Sequence, residues 1–179
     1  LSIYLKLFVL SSLAGRFVRS KHPLSPTEYR GFMHPKIRMS DEEREAFLER
    51  NKTLRVATNS SDGYPHNVPV GYHYRDGRVY FPSDERSKKT ANIRHDDKVC
   101  CIVDEGTAGD DYETLSGVMI QGRATIYDED EHETMTHDAL MDEIFEGEVK
   151  DQERYERVDR VVIEVEPENV VAWDFSKVN

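Results

Sequence analysis

The stretch LRVATNSSDGYPHNVPVGYHYRDGRVYF, residues 54–81, contains the local signals that decide the fold. Three runs rich in β-branched and aromatic residues, at 54–59, 64–74 and 78–82, are separated by two Asp-Gly pairs. An Asp-Gly pair between such runs is a strong hairpin signal, because a tight turn needs positive φ angles that glycine adopts without strain. The stretch therefore predicts three consecutive antiparallel strands.

The chain beyond this stretch continues as a β-rich pattern with one short helix. We expect that helix at about 87–95, followed by a compact buried strand, KVCCIVDE, at 98–105. The next strand, GVMIQGRATIYDE, is longer and occupies residues 117–129. Gly122 lies in its middle, where a glycine is typical of a bulge or bend.

The last third of the chain predicts one helix and two final strands. An acidic segment, 130–146, has apolar residues at helical spacing. We expect these residues to face the core: Met135, Ala139, Leu140, Ile144 and Phe145. RVVIEVEPENVVAWDF then predicts two strands on either side of Pro167. Six or seven antiparallel strands with few helices predict a mainly β fold, a small closed or partly closed barrel.

Charge is distributed unevenly along the chain, which has a formal net charge of −11. Residues 1–38 contain seven Lys and Arg against one acid, Glu28, so residues 39–179 carry −17. A domain this acidic repels nucleic acids and anionic membranes at long range, and we expect neither as a partner. Only nine of the 24 basic residues are Lys. An acid-rich, lysine-poor composition is similar to that of halophilic proteins, in which salt screens the self-repulsion.

The N-terminal segment differs in composition from the rest. Its apolar run LSIYLKLFVLSSLAG has the length of a signal peptide, but Lys6 interrupts it and it is too short for a transmembrane span. A linker with three prolines follows, and Ser40 with Glu43 predicts a capping box that begins the folded domain. We predict a leader or linker at 1–38 and one domain at 39–179. A cytoplasmic location is expected, with an export or anchor role of the apolar run left open.

Metal-binding and nucleophilic motifs are weak in this sequence. His132 and His137 are five residues apart, which on a helix turns the two rings about 140° away from each other. The acidic run around them lacks the glycine and ligand spacing of a calcium loop, so we predict no metal site. Cys100 and Cys101 are adjacent in a predicted strand and point to opposite faces, as two small buried hydrophobes rather than a disulfide. Catalytic residues stay unassigned.

The stretch DERSKKTANIR, residues 84–94, concentrates positive charge in an otherwise acidic chain. Ser87 can cap the predicted helix, which places Lys88 and Lys89 in its first turn. Cations there repel the helix dipole unless an anion lies between them, so the stretch is a candidate phosphate site. A solvated face of charged residues is the alternative for such a run.

Taken together, these segments resemble the pyridoxamine 5′-phosphate oxidase-like flavin-binding split barrels. The resemblance covers about residues 40–175. Its most specific parts are the G-x-P-H-x-x-P-V pattern at 63–70 and the S-x-K turn at 87–89 with the N-I-R that follows. The resemblance implies a Greek-key-like antiparallel split barrel that forms a homodimer, with FMN in a groove at the subunit interface.

The resemblance also implies a set of cofactor-binding residues. The phosphate would be held by Ser87, Lys88 and Lys89. The ribityl chain and phosphate would be bordered by Phe81, Pro82 and Ser83. The isoalloxazine ring would lie along the strand His66, Asn67, Val68 and Pro69. Two further residues would approach the flavin from neighbouring strands or from the partner subunit, Gln121 and Trp173; for Trp173 a packed core or interface aromatic is the alternative.

The resemblance implies a flavin-dependent oxidoreductase that transfers electrons or hydride to or from an unidentified small molecule. The flavin would supply the chemistry, which accounts for the lack of an evident nucleophile and base. Oxidation of vitamin B6 is doubtful, because the chain ends at AWDFSKVN without the Arg- and His-bearing segment that grips that substrate. The alternatives are a reductase that uses a deazaflavin coenzyme and a non-catalytic flavin-binding or sensing protein. Haem, which some relatives bind, ranks behind the flavins.

Overall fold

The computed structural model describes residues 35–107, 112–128, 131–145 and 159–178. The described part contains three α-helices: α1 (Asp41–Arg50), α2 (Lys88–His95) and α3 (His137–Phe145). It also contains seven strands: β1 (Thr53–Asn59), β2 (Pro65–Gly71), β3 (His73–Arg75), β4 (Arg78–Asp84), β5 (Lys98–Glu105), β6 (Ser116–Asp128) and β7 (Arg160–Asp174).

All seven strands form one antiparallel sheet in the order β2-β1-β5-β6-β7-β4-β3. The sheet curls around a core of aliphatic and aromatic side chains that includes Leu54, Val56, Phe81, Val118 and Ile163. Its two ends approach each other, because β2 contacts β4 without forming a hydrogen-bonded strand pair. The prediction of a mainly β, partly closed antiparallel barrel is confirmed.

The two Asp-Gly turns form as predicted. Asp76 and Gly77 have φ angles of 51° and 78° and connect β3 to β4 in a two-residue hairpin, which requires positive φ at both positions. Gly63 has a φ of 84° in the turn between β1 and β2.

The run predicted as one strand at 64–74 is two strands. Tyr72 separates them, since its N–H donates to the carbonyl of Lys52 (3.1 Å) and its hydroxyl to the carbonyl of Leu48 (2.7 Å). The fully buried Tyr72 thus turns the chain from β2, at one edge of the sheet, to β3 at the other edge.

The prediction of two strands around Pro167 is wrong, because β7 runs without interruption for 15 residues. Pro167 lies opposite Gly122, where the register between β6 and β7 shifts. A proline has no N–H to contribute to a ladder, so a bulge accommodates it without the loss of a hydrogen bond. The predicted bulge at Gly122 is confirmed.

The helix predicted at 130–146 begins only at His137. Thr136 starts it by accepting the N–H of Ala139 at its hydroxyl (3.3 Å), and upstream the His132 ring accepts the N–H groups of Thr134 and Met135. These local bonds hold the preceding residues in a turn, which the apolar spacing alone does not reveal. Of the residues predicted to face the core, Met135, Leu140 and Ile144 are buried and Ala139 is partly buried, while the Phe145 side chain lies outside the described part.

Helix α1 begins with the predicted capping box. The Ser40 N–H donates to the Glu43 carboxylate (2.6 Å), and the Glu43 N–H donates to the Ser40 hydroxyl (3.2 Å). The residues just before it contact the end of β7, through a backbone bridge between Arg38 and Trp173. The domain boundary at residue 38 stays a prediction, since residues 1–34 lie outside the described part.

Cys100 and Cys101 are free thiols on opposite faces of β5. Cys101 is buried in the core, but Cys100 is only partly buried, so the prediction of two buried cysteines is half right. In the described residues, every helix falls short of the length and hydrophobicity that a membrane crossing demands.

Candidate functional site

Among the described residues, the curled sheet leaves two strand edges without strand partners on one side. In the described part, β2 forms a strand pair with β1 alone. The pairing of β3 with β4 covers residues 78–80 of β4 and begins at His73–Tyr80, so residues 81–84 of β4 pair with β7 alone. Because β2 also contacts β4, these two edges lie near each other, and we call the space between them the edge groove. The predicted site residues at 66–69 and 81–83 lie along it, where backbone N–H and C=O groups can bind a ligand.

The end of β4 leads directly into α2 through a tight turn. The Ser87 N–H donates to the Asp84 carbonyl (3.0 Å), and Ser87 is the N-cap of α2, accepting the Thr90 N–H at its side chain (3.3 Å). The helix start that the sequence predicts is therefore present, at the end of the strand that borders the edge groove.

Three hydroxyl groups meet at this helix start, and we call them the hydroxyl cluster: Ser83, Ser87 and Thr90. Their oxygens form a triangle with sides of 2.7 Å (Ser83–Thr90), 2.9 Å (Ser87–Thr90) and 3.0 Å (Ser83–Ser87). Thr90 is fully buried and Ser83 is 3% exposed, whereas Ser87 is partly exposed. The sequence predicts the two serines but not Thr90; the S-x-x-T spacing, which puts both side chains on one side of a first turn, is the signal that could have found it.

The two lysines of the turn differ in environment. Lys88 is exposed, whereas Lys89 is partly buried. Burial lowers the pKa of the Lys89 ammonium, nearby Asp84 acts in the opposite direction, and the positive charge of Arg160 lowers it further. Arg160 lies directly opposite Asp84 in the pairing of β4 with β7, which no local pattern in the sequence reveals.

The other cations of the basic stretch are paired with acids. Arg94 donates to the backbone carbonyl and to the carboxylate of Glu85, at 3.1 Å in both cases, and Arg86 lies 3.5 Å from Asp159. The stretch 84–94 thus does not bring four cations to one ligand, and for these two arginines the solvated-face interpretation holds.

A buried amide connects α2 to the first hairpin. Asn92 is 3% exposed, and its side-chain amide donates to the hydroxyls of Thr58 (2.9 Å) and Ser60 (3.2 Å). Thr58 lies opposite His66 on β2 and donates to its carbonyl (3.4 Å). Helix α2 and β2 are therefore joined through the side chains of Asn92 and Thr58.

The β2 residues differ in orientation. The His66 ring nitrogen Nδ1 is buried and has no hydrogen-bond partner within the described ranges. Val68 packs against the core, while Asn67 and Pro69 are exposed on the opposite face. A buried nitrogen without a hydrogen-bond partner destabilises the folded protein. A ligand group that formed a hydrogen bond with His66 Nδ1 would remove this destabilisation.

The side chain of Phe81 is fully buried in the core. Phe81 can therefore border a ligand only through its backbone, and the role of residues 81–83 beside the ribityl chain and phosphate stays a prediction. Pro82, by contrast, is partly exposed on the other face of β4.

Gln121 and Trp173 lie away from the edge groove of their own chain. Gln121 accepts the side-chain amide of Asn169 (3.0 Å) and lies in the same cross-strand row as Asn67 but three strands away, a distance of about 14 Å. Trp173 packs against Gly117, where an added Cβ would be 2.5 Å from the indole ring. A single chain therefore does not bring these two residues together with the rest of the predicted site.

Metal ligation has no support from the described residues, where no three His, Cys, Asp or Glu side chains form a group that could hold a metal ion. The two histidines of the acidic run each contact one carboxylate: His132 Nε2 lies 2.9 Å from the Glu164 carboxylate, and His137 lies beside Asp138. What the site does offer is hydroxyl donors, an ammonium and strand edges, a set suited to a ligand that carries a phosphate.

Comparison with known proteins gives one family and several related folds. A sequence model of the family described as pyridoxamine 5′-phosphate oxidase matches residues 40–174. Among curated proteins, none matches the chain significantly. A solved structure described as a conserved hypothetical protein from Mycobacterium tuberculosis is 27% identical, with a TM-score of 0.68 over 82% of this chain and 91% of that chain.

Two further solved structures share the fold at lower identity. One is described as a FAD-binding protein from Mesorhizobium loti, 23% identical with a TM-score of 0.58 over 75% of this chain and 92% of that chain. The other is described as an F420 reductase, 20% identical with a TM-score of 0.55 over 73% of this chain and 98% of that chain. Because the family match spans most of the described domain, the chain belongs to the pyridoxamine 5′-phosphate oxidase family.

Proposed function

We propose that the protein binds FMN in the edge groove and acts as a flavin-dependent oxidoreductase on a small molecule. The observation that carries the proposal is the hydroxyl cluster with Lys89 at the start of α2, beside two free strand edges, in a member of this family. Bound flavin would supply the electron or hydride transfer, and the chain would bind and orient it.

The helix start fits a phosphate monoester. The backbone N–H groups of its first turn, the Ser87 hydroxyl and two ammonium groups are donors of the kind that a dianion requires. Burial lowers the pKa of Lys89, and a bound dianion beside the ammonium would offset that cost. Lys88 is exposed and can reach an anion from the solvent side, although an ammonium cannot form the bidentate pair of an arginine.

The two strand edges fit the remainder of such a cofactor. A flat ring with polar edges can exchange hydrogen bonds with the backbone of 66–69, and the buried Nδ1 of His66 supplies one further unsatisfied group. The backbone of 81–83, which pairs with β7 only, lies between this edge and the helix start. The ring and the phosphate would thus bind at opposite ends of one groove.

We further propose that two subunits associate through the face of the sheet turned away from the core, which we call the outer face. Cross-strand pairing aligns partly exposed apolar side chains across its centre, the central stripe: Ala57, Cys100, Ile102, Met119, Val171 and Trp173. Such a stripe exposes apolar surface to water and is typical of a protein–protein interface. Gln121 and Trp173, which lie far from their own groove, would then be placed to meet the flavin bound by the partner.

A deazaflavin coenzyme is the second candidate. A structural neighbour is described as an F420 reductase, and a phosphate group in that coenzyme could use the same helix start. FAD is a further variant, given the neighbour described as FAD-binding. A flavin-binding protein without turnover remains the alternative of a different class.

The absorption spectrum of the purified protein, before and after saturation with FMN, tests the cofactor. Flavin, deazaflavin and haem have distinct spectra, and we expect the flavin spectrum. Anaerobic mixing with NADH or NADPH then tests turnover: bleaching of the bound flavin supports an oxidoreductase, and no bleaching with either donor supports a binding or sensing role. A protein that does not bind FMN would overturn the proposal, and a deazaflavin spectrum would favour the second candidate.

A further inference from the structure

The hydrogen bonds around the hydroxyl cluster assign a direction to its protons. The Thr90 hydroxyl donates to the Asp84 carbonyl at 2.8 Å, and the same carbonyl accepts the Ser87 N–H at 3.0 Å. A carbonyl oxygen has two lone pairs, and these two donors occupy both. The Ser83 hydroxyl lies 3.3 Å from the same oxygen, so it is a surplus donor there.

With its single proton committed to Asp84, the Thr90 oxygen faces both serines as an acceptor. Ser83 at 2.7 Å and Ser87 at 2.9 Å can therefore donate to it. Either serine proton can turn to an incoming anion while the Thr90 hydroxyl keeps its own bond to Asp84. No buried group is left without a partner by that exchange, so it avoids the usual penalty.

We propose that Thr90 is a positioning residue of the phosphate subsite, a role that rests on the proposed function. It keeps the serine protons on an acceptor from which a phosphate oxygen can take them. Thr90 itself is fully buried and needs no contact with the ligand.

The replacement Thr90→Val keeps the shape of the side chain and removes the hydroxyl. The Asp84 carbonyl then has a vacant lone pair, which the Ser83 hydroxyl at 3.3 Å can fill. Ser87, at 3.0 Å from Ser83, loses its other hydroxyl acceptor and donates to that serine instead. Both serine hydroxyls then turn to acceptors other than position 90, and they lose the orientation from which a phosphate oxygen takes their protons in the wild-type protein.

The test is a fluorescence titration of wild-type protein, Thr90→Val and Thr90→Ser with FMN and with riboflavin, which lacks the phosphate. We expect Thr90→Val to raise the Kd for FMN about tenfold and the Kd for riboflavin less than about twofold. Thr90→Ser, which restores a hydroxyl, should return the FMN affinity to within about threefold of wild type. The ³¹P resonance of bound FMN should move in the valine variant and return in the serine variant.

Equal losses for both ligands would assign Thr90 a purely structural role, and an unchanged FMN affinity would remove any role; either result overturns the inference. If the valine variant does not fold, Thr90→Ala provides the same comparison. If the wild-type protein binds FMN and riboflavin with equal affinity, it binds flavin but has no phosphate subsite. That result overturns this inference alone. A wild-type protein that binds neither overturns the proposed function as well.

Discussion

At the scale of single residues, Lys89 combines a positive charge with partial burial beside the hydroxyl cluster. Burial raises the free-energy cost of a charged Lys89 side chain, as its lowered pKa reflects, whereas Lys88 is exposed. The two neighbouring lysines thus form a natural comparison, one partly buried and one exposed.

Replacement of Lys89 by Ala should weaken FMN binding without unfolding the domain. A charge-assisted hydrogen bond contributes about 1.5–3 kcal/mol, which corresponds to a rise in Kd of about 10- to 150-fold. Riboflavin should lose far less affinity. Titration at matched high salt measures both, with Lys88→Ala as the control, for which we expect a smaller loss because that side chain is exposed. Equal losses for FMN and riboflavin would remove Lys89 from the phosphate subsite.

The pKa of Lys89 also predicts a pH dependence of binding. The side chain attracts a phosphate only when protonated, and burial lowers its pKa below the ordinary value of 10.5, so the charge is lost at lower pH than on an exposed lysine. FMN affinity should therefore fall as the pH rises from ~7 towards ~10. In Lys89→Arg the decline should be much weaker, because a guanidinium stays charged throughout.

Riboflavin titrations over the same pH range provide the correction for ionisation of the ring itself. Parallel pH profiles for wild type and Lys89→Arg would show that a group other than Lys89 controls the binding.

The site residues divide clearly into those that sequence can predict and those that it cannot. Ser87 and Lys89 belong to the turn into α2, where the cap and charge patterns mark them, whereas Ser83, in β4, is predicted only by the family resemblance. Thr90 looks like an ordinary helix residue until its contacts are known, and Arg160 reaches the site only because β7 pairs with β4. Long-range pairing is the information that a local pattern lacks.

At the scale of elements, the sequence predicts strands well where turn chemistry marks their ends. The boundaries of β5 and the hairpin at Asp76-Gly77 follow from local signals alone. The errors lie in the run at 64–74 and in β7, where a distant partner decides, and at the start of α3, where side chains bond to the nearby backbone. Pro167 is tolerated in a continuous strand because Gly122 faces it, and α3 starts late because His132 and Thr136 hold the backbone before it.

Gly122→Ala should be strongly destabilising. An added Cβ would lie 2.2 Å from the Glu166 carbonyl oxygen, a backbone atom that cannot move without distorting β7. We expect a loss of about 2–4 kcal/mol in the free energy of unfolding, measured by denaturant titration. Gly77→Asn is the control, since an added Cβ there meets no described atom within 4 Å apart from its chain neighbours, and asparagine tolerates the φ of 78°; its cost should stay below about 1 kcal/mol. Similar stabilities for the two variants would mean that β6 and β7 can rearrange at the bulge.

At the scale of the whole molecule, the proposed homodimer depends on the central stripe of the outer face. Met119 lies between Ile102 and Val171 in the cross-strand pairing, so a charge at this position would meet apolar neighbours on both sides. Met119→Glu should convert the dimer to a monomer and lower the affinity for FMN, because each subunit would lose the residues that its partner contributes.

Light scattering with and without FMN measures the mass of each form against the chain mass of 20.8 kDa. Ser61→Glu, in the exposed turn between β1 and β2, is the control and should remain dimeric. A wild-type mass near that of one chain in the presence of FMN would exclude the dimer, and a dimeric Met119→Glu variant would place the interface elsewhere.

The adjacent cysteines of β5 give the chain two built-in chemical reporters. Cys101 lies in the core, so a thiol reagent reaches it only when the barrel unfolds. Cys100 points the other way, onto the central stripe, so in the proposed dimer its labelling rate follows subunit dissociation instead. Mass spectrometry resolves singly from doubly modified chains, and the first addition should slow with rising protein concentration while the second does not. One reagent, followed over time at several protein concentrations, would thus separate the kinetics of assembly from those of unfolding, without an engineered probe.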